Sequence, residues 1–164
     1  MLTRHRPETG DDGSVLILVI GYTALAAVLI TVGIDTSKVF LARRALASAT
    51  DSAALAAAQG VDRSAIYNGN GLQCGRPLPL DPQHAASLAA LSVSDDQRDL
   101  GHLFRSVAAP TTSLDAGTVT VAVSGRVAVP FGRVLAWLDP GHSDGLVRIT
   151  ETSHARSPVV GGTC

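Results

Sequence analysis

The sequence predicts an α+β, membrane-anchored protein: a long amino-terminal helix, transmembrane in its first half and alanine-rich in its second, then a small domain with a short antiparallel β-sheet. Three stretches predict it. Residues 14–34, SVLILVIGYTALAAVLITVGI, carry no charged side chain and twelve Leu, Ile or Val residues. Residues 35–60 continue without proline or glycine until Gly60 and are dominated by alanine, the best helix former. Residues 117–131 place Val119, Val121, Val123, Val127, Val129 and Phe131 at odd positions. A period of two held that long is a strand with one buried face.

In chain order, residues 1–13 are polar and carry Pro7, Gly10 and Gly13, which predicts a short disordered tail. The span follows over 14–34, marked by Ser14, Val15, Leu16, Ile20, Leu25, Leu29 and Ile34. As a helix it covers roughly 30 Å, the thickness of a hydrocarbon core, and satisfies its own backbone there. A cleaved secretory signal is the competing reading, since Ala24-Leu25-Ala26 has the small residues of a cleavage site. Against it, the apolar run continues past that point to Ile34 and is preceded by Asp11 and Asp12. Arg4 and Arg6 on one side balance Lys38, Arg43 and Arg44 on the other, so charge alone leaves the orientation open.

Residues 35–60 extend the helix beyond the membrane. Ala45, Ala49, Ala53 and Ala57 recur every four residues, a ridge of methyl-sized side chains along one face. Together with Gly21 inside the span, they form a candidate helix contact face, since close packing of small residues drives association in lipid. Outside lipid the ridge has two outlets, a partner's helix or this chain's own sheet. Arg43 and Arg44 fall near the headgroups, where they contact anionic lipid or are simply solvated.

Residues 61–164 are long enough for one small domain. The segment 61–82 reads as a loop, with Gly69, Gly71 and Gly75 as turn residues. Their spacing does not make a phosphate loop. His84 to Val93 reads as a short helix burying Leu88 and Leu91, ended in solvent by Asp95 to Asp99. Within the 117–131 strand, Gly125 predicts a bend or bulge. Gly132 to Leu138 predicts a turn burying Trp137, and Asp139-Pro140-Gly141 predicts another turn. Leu146 to His154 has the composition of a second strand paired with the first. Cys74 and Cys164, the chain's two cysteines, form a candidate disulfide or remain two unrelated thiols.

Chemistry is sparse. Net charge is −1 and no basic cluster stands out in the sequence, which argues against nucleic acid as a partner. His5, His84, His102, His142 and His154 lack metal-ligand spacing, so neither metal nor cofactor is expected. DPGHSDG holds Asp139, His142, Ser143 and Asp144, the residue types of a hydrolase triad. Triads are assembled from distant segments, however, and turn chemistry explains these neighbours better. No enzyme is expected, and the competing class is a membrane-tethered binding domain or small hydrolase.

GSVLILVIGY followed by DTSKVFLARRALASATDSAALAAAQ resembles the amino-terminal module of the TadG-like proteins of the Flp (tight-adherence, Tad) pilus assembly system, over residues 13–60. VTVAVSGRVAVPFGRVLAWL and VRITETSHARS, within 118–157, are similar to the terminal strand, loop and strand of TadE- and TadG-like proteins. The resemblance implies a single-pass protein of the bacterial cytoplasmic membrane, with its tail inside and its domain outside. Its partners would be membrane lipid and other Flp pilus components. Prepilin-like members are cut after a glycine and carry glutamate at the fifth mature position. Here Ser14 follows Gly13 and the fifth residue is Leu18, a departure that points to an assembly or anchoring component and away from a pilin.

Overall fold

The computed structural model describes residues 12–68, 74–129 and 145–159. Helix α1 runs unbroken over Asp12–Ala57, about 69 Å at 1.5 Å per residue. It is followed by α2 (Arg63–Tyr67), α3 (Pro82–Leu100), β1 (Ser106–Val107), β2 (Thr111–Asp115), β3 (Thr118–Ala128) and β4 (Leu146–Arg156). The α+β expectation holds. One antiparallel sheet has β3 at its centre, with β4 along one side and β2 and β1 in succession along the other.

The odd-numbered valines of β3 form the buried face. Val119, Val121, Val123 and Val127 are all but inaccessible, packed with Ala42, Leu46, Ala49, Ala53, Ala54 and Ala57 of α1 and with Ala85, Ala89 and Val93 of α3. The second half of α1 thus lies in the groove between the sheet and α3. Its opposite side at Leu55, 63 % exposed, faces solvent.

Helix α3 is longer than the sequence predicts. Asp81 caps it, its Oδ1 accepting the N–H groups of Gln83 at 2.8 Å and His84 at 3.1 Å, with Pro82 in the first turn. Nothing breaks it at Asp95 to Asp99, because the chain supplies no glycine before Gly101 and Leu100 returns to the core. Its buried positions are Ala85, Ala89, Val93 and Leu100. Leu88 is only half-buried and Leu91 is exposed, which corrects the expected face. At 3.6 residues per turn Leu91 points about 160° away from Ala89 and about 120° away from Ala85. Small residues win that face because α1 and the turn that closes it pack directly on it: Ala85 and Ala89 share a buried cluster with Ala53 and Ala57, and a Cβ on Gly60 would lie 2.7 Å from the Ala85 backbone. Asp81→Ala is expected to lower domain stability by about 1 kcal/mol, measured as a shift of the urea midpoint.

The described residues between α1 and α3 form more than the expected loop. Asp62 starts α2, accepting from Ser64 Oγ at 2.6 Å and Ala65 N–H at 3.1 Å. These two hydrogen bonds, the Ser64 hydroxyl first, hold the Asp62 carboxyl below the usual carboxylate range. Its contribution is therefore present above the unfolded-state pKa and is lost as pH falls through the lowered folded value. Further on, the Leu78 carbonyl accepts from the buried Ser157 hydroxyl at 2.9 Å, and Leu78 N–H donates to the Pro158 carbonyl at 3.0 Å. These bonds and the Pro77–Val159 bridge tie the segment after Cys74 to the far end of the chain.

Gly125 neither bulges nor bends. It keeps register with Ile149 on one side and Val107 on the other. Its missing side chain makes room for Phe104: a Cβ there would sit 2.4 Å from the Phe104 ring. Gly125→Ala should destabilise the domain by about 1–3 kcal/mol through overpacking. Phe104→Leu in the same chain should recover part of that loss in a double-mutant cycle by chemical denaturation, and strict additivity would contradict the contact. The β2–β3 hairpin, absent from the sequence reading, turns on Ala116 and Gly117 at φ 45° and 80°. Positive φ at both central residues is the type I′ pattern that suits the twist of two strands.

Candidate functional site

What α1 does above the domain sets the candidate site. From Val15 to Ile34 its apolar side chains point in all directions and none is buried: Val15, Leu16, Ile20, Leu25, Leu29 and Ile34 are each more than half exposed. The side chain of Ser14 lies outside the described residues. A helix apolar all round is stable only when something other than water surrounds it. The core helix of a water-soluble domain would be covered by the chain itself, and this stretch is not: the most apolar window of α1 has no buried share.

The polar atoms of the stretch fit an apolar surrounding. Thr23, Thr31, Thr36 and Ser37 each donate a hydroxyl to the carbonyl four residues earlier, on Val19, Ala27, Val32 and Gly33, at 2.7–2.8 Å. No hydroxyl among them needs water. A Cβ at Gly21 or at Gly33 would meet nothing else in the chain within 4 Å, so both positions are open to lipid or to another helix.

The transition to the domain is abrupt. Val39 is half-buried and Ala42 fully so. One turn of helix separates the exposed apolar segment from the core, with neither proline nor glycine between Ser37 and Gly60. Arg43 Nε donates to Glu151 Oε1 at 2.7 Å, joining α1 to β4 where Glu151 is mostly covered. Of the alanine ridge, Ala49, Ala53 and Ala57 are buried within this domain and Ala45 is half-buried. The sequence reading passed over Leu46 and Thr50, both fully covered. Thr50 satisfies its hydroxyl on the Leu46 carbonyl at 2.7 Å.

No chemistry gathers elsewhere among the described residues, where no group of three or more His, Cys, Asp or Glu is placed to hold a metal ion. His154 Nδ1 is 2.8 Å from Thr120 Oγ1 across the open face of the sheet, a cross-strand contact. Asp139, His142, Ser143, Asp144 and Trp137 lie outside the described residues, as does Cys164. Cys74 is disulfide-bonded.

Compared with known families, residues 13–60 match the Tad family model, described as Flp pilus-assembly TadE/G-like. The resemblance noted over that stretch is thereby matched, and its extent coincides with α1 and the turn that closes it. The second stretch of resemblance, residues 118–157, lies beyond the match. No curated protein and no solved structure matches the chain.

Proposed function

We propose that the chain is a non-enzymatic, single-pass membrane component of Flp/Tad-type pilus assembly or anchoring, TadG-like in its amino-terminal module. Residues 14–34 cross the bacterial cytoplasmic membrane, 1–13 stay inside, and the domain from 61 onward stands on the extracytoplasmic face. The observation that carries this is the continuity of α1. One helix is bare and apolar for its first half and is the central core element of the domain for its second. With no linker at the junction, a load on the domain passes directly into the span. The family match over 13–60 supplies the system in which such an anchor works.

Its partners are then membrane lipid and other pilus-assembly proteins, met through the faces that its own packing leaves open. Leu18 stands where prepilin-like chains carry their glutamate, so the chain remains unprocessed in the membrane. The test is deletion of the gene in its host. Flp pili should be lost from the surface while pilin is still made, and the intact chain should restore them. Undiminished piliation in the deletion strain would refute the assignment.

A further inference from the structure

Beyond the span the fold collects cations from three elements besides the helix that carries Arg43 and Arg44. Lys38 of α1, with His102 and Arg105 of the α3–β1 connection, lines a cleft of about 360 Å³ walled by Leu103, Phe104, Val127 and Val129. Arg105 N–H donates to the Arg126 carbonyl at 2.8 Å, and Arg126 stands opposite Arg148 in the β3–β4 register. Lys38, Arg105, Arg126 and Arg148 are all exposed. Like charges facing one another across a ladder are destabilising unless an anion lies between them. Glu151 of the same strand lies on the opposite, α1-facing side of the sheet, where Arg43 engages it. The sequence hides this group because its members are spread from 38 to 148.

Position identifies the anion. Lys38 follows Ile34, the last apolar residue of the bare segment, by four residues, about 6 Å along the axis. We infer that this pole of the domain, formed by Lys38, Arg105, Arg126 and Arg148, docks on anionic phospholipid headgroups and so fixes the tilt of the domain against the bilayer. The inference rests on the membrane-anchor reading above and adds the lipid class and the residues that meet it. Cations at a bilayer surface act additively and within a Debye length.

The test uses the full chain with its disulfide intact, carrying Ser106→Cys labelled with a fluorophore, in nanodiscs whose headgroups bear a quencher. Ser106 is exposed and pairs with Arg126. Quenching should be stronger in phosphatidylglycerol discs than in phosphatidylcholine discs, and molar salt should abolish the difference. Each single Arg→Gln change should reduce the docked population about five-fold, the equivalent of about 1 kcal/mol per cation. Lys38→Gln/Arg105→Gln/Arg126→Gln/Arg148→Gln should remove the lipid preference with the circular dichroism spectrum unchanged. Equal quenching in both lipids, with the chain resistant to carbonate extraction, would overturn the docking surface and leave the anchor standing. Release by carbonate from both lipids would overturn the two together.

Discussion

Leu46→Ala lowers the stability of the domain by about 4 kcal/mol, in the upper part of the 2–5 kcal/mol range of buried leucine truncations. Leu46 is the largest wholly inaccessible side chain of α1 and packs in the same cluster as the β3 valines. Its surroundings are small and rigid: alanines on two helices and β-branched residues on a strand have few rotamers with which to collapse into the space left behind. A retained cavity puts the cost in the upper part of the range. Leu55→Ala supplies the control, on the same helix with the same atoms removed. Leu55 is 63 % exposed, so its loss should change stability by no more than about 0.5 kcal/mol. Urea denaturation of the detergent-solubilised chain measures both. Equal effects would mean that α1 does not sit in the groove described.

Loss of the Cys74 disulfide is expected to be of similar size. Bonded to Cys164, the chain's one other cysteine, it would close a loop of about 90 residues, worth on the order of 4 kcal/mol in the chain-entropy model. The Pro77–Val159 bridge and the Ser157–Leu78 hydrogen bond already hold residues 77–78 beside residues 157–159. Such a bond would join stretches that the fold already brings close. Its benefit falls on the unfolded state, which loses the freedom to separate them. The domain core is mostly alanine and valine, and a small aliphatic core has little to spare. Cys74→Ser, or reduction in mild denaturant, should lower the thermal midpoint by many degrees. A midpoint unchanged by reduction would show that the loop contributes nothing.

The parts of the fold legible in the sequence are those where one physical demand governs a long run of residues. Absence of charge over 14–34 and alanine over 35–60 specify α1, and alternation specifies β3 and, with less force, β4. What escaped depends on neighbours. β2 has only Thr112 and Leu114 facing inward, too few for a period to show, and its hairpin turns on Ala116-Gly117 without the Asn-Gly or Asp-Gly signal. On α3 the expectation followed the leucines, yet the face is decided by how near α1 comes, and alanine suits a near approach. Gly125 read as an irregularity because Phe104, the ring that needs its space, lies 21 residues away. At the candidate site the bare apolar segment was legible in full. Of the two outlets read for the alanine ridge, the chain's own sheet is the one it meets, though its second neighbour α3 was not foreseen, nor was Glu151 of β4 as the partner of Arg43.

The central claim is that α1 is an uncleaved anchor holding the domain outside the cytoplasmic membrane. Its most direct test is labelling of Ser113→Cys from outside intact cells with a membrane-impermeant maleimide, together with the intact mass of the chain purified from the membrane fraction. Ser113 lies on the exposed face of β2, and the native disulfide can stay in place because it does not react. The account predicts labelling without lysis and a mass that includes residues 1–13, less at most the initiator methionine. A mass lacking residues 1–13 would make the chain a processed, prepilin-like subunit despite Leu18. Labelling only after lysis would put the domain on the wrong side of the membrane for the role proposed.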